Sequence, residues 1–243
     1  MKKLLLVFVF LIFACTGEDN DDASQEINNT QLADVDGNIY PLLEIADEIW
    51  ATESLRVKSY RDGTPIPHIQ DPIEWESLTT GAWRYVNDDP STEQKYGLLY
   101  NFYAVNNPRG LAPQGARIPS YTDLLHLTSY FGVLLNNTSS NIDEESFSRF
   151  VTDDPELPWS RNDYSILGTN STGFNLYPAG FQRASMSPTG FGYQAFLWST
   201  NSVSNTGTLV ARFSCSSSSS ITIQYYNVQY NYYGCSVRVI KNQ

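Results

Sequence analysis

The amino-acid sequence predicts an α+β fold, rich in strands and poor in helices, forming one domain over residues 33–243. Three observations carry this. The chain is 14% aromatic and only 17% charged, enough apolar material to bury a full core in a single domain. One stretch alone, the segment after Pro119-Ser120, carries a complete helix signature. Elsewhere the apolar runs are short and are separated by Gly, Ser and Asn clusters, as strands between turns are. No internal linker, helical repeat or heptad pattern divides the body.

The chain opens with Lys2-Lys3 and an unbroken apolar run from Leu4 to Phe13, ending at Ala14-Cys15. Ten apolar residues fall well short of the roughly 20 that cross a bilayer as a helix, so residues 1–14 read as an export signal. Ile12-Phe13-Ala14-Cys15 resembles a lipobox, with Phe13 an unusual member, and makes Cys15 the lipidation site. Glu18, Asp19, Asp21 and Asp22 follow, and no Lys or Arg occurs between Lys3 and Arg56. This run resembles the surface-export signal of Bacteroidetes-type lipoproteins. The expected address is the outer membrane, lipid-anchored and exposed at the cell surface, with residues 15–32 an acidic flexible tether. Loss of Lys2 and Lys3 takes the formal charge from −11 to −13, which argues against nucleic acid as a partner.

Along the body, Asp36-Gly37 is a turn signal between short strands, and Ile49-Trp50-Ala51 is a further strand. Residues 60–89 hold Pro65, Pro67, Pro72 and Asp62-Gly63 and read as loop and turn. Residues 97–105 form a dense apolar run whose type periodicity does not fix. At the helix signature, Ser120 is placed to accept from the amide of Asp123, Leu124, Leu125, Leu127 and Phe131 follow at helical spacing, and Gly132 marks the end. Residues 135–165 are polar and read as an insertion or long loop. Strand signals return from Gly173.

The order of these motifs is familiar. Residues 34–40 (Asp-Val-Asp-Gly-Asn-Ile-Tyr), 49–55, 60–67 (Tyr-Arg-Asp-Gly-Thr-Pro-Ile-Pro), 78–82 (Leu-Thr-Thr-Gly-Ala), 96–105, 117–120 (Arg-Ile-Pro-Ser), Gly173-Phe174, 197–200 (Leu-Trp-Ser-Thr) and 236–238 (Ser-Val-Arg) together resemble the Fibrobacter succinogenes major paralogous domain, over roughly residues 33–241. The resemblance implies a C-type-lectin-like fold, export and frequent lipid anchoring, and no established activity. Two departures stand out. Ala112-Pro113-Gln114-Gly115-Ala116-Arg117 replaces the family's Cys-Pro-x-Gly-Trp-His, and Val239 replaces a Cys after Val237-Arg238, so both members of one family disulfide are absent together. Cys215 and Cys235 are placed like the second conserved disulfide of C-type lectins, and an oxidising compartment favours their pairing.

A search for chemistry finds little. His68 and His126 have no carboxylate or Cys at metal-ligand spacing, so no metal or other cofactor is expected. Gly168-Thr169-Asn170-Ser171-Thr172-Gly173 has its Ser one position away from a nucleophile elbow. Asp34, Asp36 and Asn38 alternate as a Ca²⁺ loop does, but Gly37 comes too early for one and a hairpin turn is the better reading. The acidic runs 143–145 and 153–156 read as solvated surface rather than a glycosidase pair.

One region has a distinctive composition. From Ser199 to Gly234, 22 of 36 residues are Ser, Thr, Asn or Tyr and the only charge is Arg212, a paratope-like mixture. Ile221, Ile223 and Tyr225 share one strand face, which leaves Tyr226, Tyr230, Tyr232 and Tyr233, with Asn227 and Asn231, as expected ligand contacts, while Trp198 reads as core. The function expected is a non-catalytic binding or adhesion module for a glycan or protein at the cell surface. The alternatives are a surface enzyme acting on polysaccharide or peptide, which requires converging carboxylates, and a structural component of a surface assembly, which requires a large apolar patch.

Overall fold

The computed structural model describes residues 30–133, 139–183, 188–204, 207–217, 221–228 and 233–243. Its strands, in chain order, are β1 (Gln31–Ala33), β2 (Ile39–Ile45), β3 (Glu48–Ala51), β4 (Trp83–Tyr85), β5 (Leu98–Asn101), β6 (Ala116–Arg117), β7 (Ser139–Asn141), β8 (Trp159–Arg161), β9 (Tyr164–Ile166), β10 (Ala179–Arg183), β11 (Thr189–Phe191), β12 (Gln194–Ser204), β13 (Gly207–Cys215), β14 (Ile221–Val228), β15 (Tyr233–Cys235) and β16 (Ile240–Lys241). One sheet has the order β1-β2-β3-β16-β6; the larger runs β4-β5-β15-β10-β12-β13-β14-β7 with β11 beside β10; β8 and β9 form a ribbon. Helices are few and short, and the chain is a β-rich α+β protein.

Local chemistry explains the elements that sequence reasoning anticipated. Asp34 Oδ1 accepts from the amides of Asp36 and Asn38, and Gly37 takes a φ of +86°, so the side chain and a residue tolerant of positive φ close the β1–β2 turn. The helix Tyr121–Tyr130 begins with a full capping box. Ser120 Oγ accepts from the Asp123 amide, and Asp123 Oδ2 accepts from the Ser120 amide.

The larger sheet is covered on both faces, and strand alternation sorts its residues. Phe196, Trp198, Val210 and Cys235 join one core cluster with Tyr40, Tyr60, Trp83 and Tyr100. Ala195, Leu197, Ala211, Phe213, Cys215, Ile221, Ile223 and Tyr225 join a second with Leu124, Leu127 and Phe131. Trp198 is fully buried, and its Nε1 donates to the Tyr100 carbonyl at 2.7 Å.

Three expectations are corrected. Cys215 and Cys235 are free, buried thiols rather than a bridge. Leu197 in β12 pairs with Ala211 on one side and with Ser236 on the other. Cys215 lies on the same face as Ala211, and Cys235, one residue before Ser236, on the opposite face, so the sheet itself separates the sulfurs. Second, the described part of 135–165 is not a long loop. It holds β7, a helix at Glu144–Ser148 and the β8–β9 ribbon, and it supplies Phe147, Phe150 and Trp159 to the second cluster. Third, the folded body begins at Gln31, where β1 pairs with β2 and buries Leu32, inside the stretch expected to be tether. Residues 15–29 of that stretch lie outside the described residues.

Arg238 ties the two clusters together. Its fully buried guanidinium lies 4.8 Å from the Phe174 ring and donates to the carbonyls of Ala51 at 3.0 Å and Asn175 at 2.9 Å. Burial pulls its pKa down to about 9, which still leaves it charged at neutral pH. The positions of the missing family disulfide, Ala112 and Val239, are both buried in the first cluster.

Candidate binding cleft

The Asn101 side chain organises one end of the molecule. Its Oδ1 accepts from the amides of Ala82 and Ala104, capping the short helix Phe102–Val105, while its Nδ2 donates to the Thr80 carbonyl. One buried amide thus fixes both residues 80–82 and the helix beside them. A second tie comes from Arg61. Its amide donates to the Gly110 carbonyl, and its guanidinium donates to the Ala112 carbonyl through Nε at 3.0 Å and Nη2 at 2.9 Å. The turn that carries Arg61 is closed by the Thr64 amide on Asp62 Oδ1 and by Gly63 at a φ of +84°. The 106–110 loop is closed in the same manner, with the Arg109 amide donating to Asn107 Oδ1.

Between these segments lies a cleft of about 750 Å³, within the range of small-molecule sites. Its wall is made of Tyr60, Thr64, Pro65, Pro67, Thr79, Thr80, Gly81, Phe102, Tyr103, Asn106, Asn107, Pro108, Arg109 and Thr200. Tyr60 is 3% exposed, yet its hydroxyl is a buried polar group with no hydrogen bond. Such a group is costly to leave unsatisfied. Burial pushes its pKa up, while the Asn107 side chain, close enough to interact with the hydroxyl though without good hydrogen-bond geometry, and the Arg109 charge oppose the rise. Gly81 makes room for that hydroxyl, since a Cβ there would lie 1.9 Å from Tyr60 Oη and 2.9 Å from the Ala104 Cα. The lining combines aromatic rings, amide and hydroxyl groups and one cation, Arg109, which pairs with Asp62 at 3.4 Å in a half-exposed ion pair. Among the described residues no carboxylate lines it.

The residues expected to bind are distributed differently. Tyr226 and Asn227 are strand residues of β14, opposite Val210 and Leu209. Tyr233 belongs to β15 and is half-buried, with its ring stacked on Phe181 at 5.6 Å and 9°. Tyr230, Asn231 and Tyr232, like Cys15, lie outside the described residues. Among the described residues of the 199–234 stretch, Thr200 lines the cleft.

The weaker candidates have local explanations. His68 is stacked on Trp83 at 4.1 Å, and His126 is exposed on its helix. Asp34 is committed to its turn and to the Tyr40 hydroxyl at 2.6 Å. The 168–173 stretch is docked by its amides onto the carbonyls of Ser148, Arg149 and Thr152. Among the described residues no group of three or more His, Cys, Asp or Glu is placed to hold a metal ion, and no helix is long and apolar enough to cross a membrane.

Sequence reasoning did not locate the cleft, although its signal was present. Ten of the fourteen lining residues fall in the segments 60–67, 78–82, 96–105 and 197–200, the same segments that carry the family resemblance. A family model described as the Fibrobacter succinogenes major domain matches residues 43–241. No curated protein and no solved structure matches the chain.

Proposed function

The chain belongs to the Fibrobacter succinogenes major domain family, and from that premise we propose that it is a non-catalytic binding module of the cell surface whose ligand is a saccharide held in the 750 Å³ cleft. The observation that carries this reading is the convergence of the family-bearing segments on one cleft whose wall presents Tyr103, Asn106 and Asn107 to solvent. Sugars present apolar ring faces and outward hydroxyls, and Tyr103 offers the surface to stack while Asn106 and Asn107 offer the bonds. With no carboxylate among the described lining residues, the wall itself supplies no acid and base pair for glycoside hydrolysis.

The C-type-lectin-like topology belongs to the same reading, supported by the pairing of the last strand, β16, with β3 near the start of the domain. So does display through a lipid on Cys15, supported by the leader, the lipobox-like tetrapeptide and the acidic run behind it.

A glycan array with the soluble domain, repeated with Tyr103→Ala, tests the site. We expect a defined set of glycans bound by the wild type and at least a tenfold loss in the variant, with Tyr233→Ala close to wild type in binding. On intact cells the same binding should vanish with Cys15→Ala. A blank array, or a Tyr103→Ala domain that binds unchanged, refutes the cleft; retention on cells without Cys15 refutes the anchor.

A further inference from the structure

A second depression of about 550 Å³ adjoins the first. Thr200 lines both, and the 105–111 segment forms their shared ridge, with Asn106 to Arg109 facing one and Val105, Gly110 and Leu111 facing the other. The charged residues of the combined wall are Arg109, Arg61, Arg117 and Asp123. Three cations against one anion is the reverse of the whole chain, in which 26 acidic residues outnumber 15 basic ones.

These cations are not equally neutralised. Arg117 is held by Asp123 and by Glu48 at 3.1 Å. Arg61 bonds to the neutral carbonyls of Ala112 and, at 3.5 Å, of Ala116, and no ion pair to it is present among the described residues. Arg109 meets Asp62 at 3.4 Å, its one ion pair among the described residues, with both side chains about half exposed; such pairs contribute little. Asp62 keeps the Thr64 amide at 2.9 Å whether or not Arg109 stays, so an incoming anion can take Arg109 without leaving Asp62 stranded.

Resting on the saccharide reading above, we infer that the ligand is an acidic oligosaccharide, one whose rings carry carboxylates, long enough to cross the ridge so that one carboxylate meets Arg109 and another meets Arg61. Bidentate guanidinium-to-carboxylate bonding supplies the selectivity, and the net negative charge of the remaining surface repels acidic polymers that do not fit the groove.

Titration calorimetry of the protein with tetragalacturonate, its fully methyl-esterified form and digalacturonate tests this. The acid tetramer should bind at least tenfold more tightly than its ester at about 50 mM salt, with the gap closing near 0.5 M as screening takes over. Arg109→Gln should remove most of the preference for acid over ester, and Asp62→Asn should strengthen binding of the acid about threefold. An ester that binds as well as the acid overturns the charge inference while the saccharide reading stands. Equal affinity for dimer and tetramer overturns the two-cleft span, and polyglutamate binding as tightly as the tetramer overturns the sugar requirement. If neither sugar binds and the glycan array is blank as well, the saccharide reading falls with it.

Discussion

The loops around the cleft and the strands β12, β13 and β14 are both rich in Tyr, Thr and Asn, yet they spend those residues in opposite ways. In the loops, main-chain positions are fixed by side chains acting as braces, Asn101 on Thr80, Ala82 and Ala104, and Arg61 on Ala112. That frees Tyr103 and Asn107 to stand half-exposed on the cleft wall. In the strands the ladder fixes the backbone, and packing against both faces consumes Trp198, Phe213 and Tyr225. A polar, aromatic composition therefore marks a binding surface only where something other than burial holds the chain in place.

The strongest way to break this contrast is to truncate one large side chain in each region and follow urea unfolding. Trp198→Ala should lose about 3–5 kcal/mol of stability, from the cavity left behind and the Tyr100 carbonyl left unpaired. Tyr103→Ala should cost less than about 1 kcal/mol while it weakens binding at least tenfold. Equal destabilisation would erase the distinction.

A smaller effect tests the helix packed on the second face of the sheet. Burial alone would raise the pKa of Asp123, but the Arg117 guanidinium and the Ser120 amide and hydroxyl outweigh it and hold the carboxyl below its usual value. A depressed folded-state pKa stabilises above the unfolded value, near pH 4, and that contribution is lost as pH falls through the folded value. Asp123→Ala should therefore cost about 1 kcal/mol at pH 7, and the gap from wild type should close towards pH 3. A gap that widens with acid contradicts the assigned pairing.

The smallest expected effect is none. A reductant should leave the unfolding midpoint unchanged, where a bridge closing a loop of about 20 residues would have contributed roughly 3 kcal/mol. Burial pushes the Cys215 thiol up to about 11 and Cys235 well above its ordinary value, so both should resist alkylation until denaturant is added. Linked peptides in a non-reduced digest would overturn the free-thiol structure.

What could be read from the sequence was local. Ser120 and Asp123 announced their helix because a capping box spans four residues, and Ile221, Ile223 and Tyr225 announced a buried face because strand alternation repeats every two. The cysteine pairing failed because the face on which each sulfur falls depends on β12 lying between their strands, an order no local pattern records. Phe147, Phe150 and Trp159 were hidden among acidic neighbours that solvate the outside of the same segment. The cleft escaped because its wall is assembled from separated stretches braced by bonds such as Arg61 to Ala112, which leave no periodic trace. The family motifs marked those stretches without saying that they meet.

The position of the last described strands has a consequence for how the protein is made. β15 lies between β5 and β10, and β16 between β3 and β6, so the latest-made of the described strands occupy interior positions of both large sheets. Until they arrive, each sheet is two unjoined halves with open edges, and Arg238 has not yet bridged Ala51 to Asn175. Vectorial synthesis therefore cannot complete this domain piecewise. Both sheets close only when residues 233–241 are available to pair.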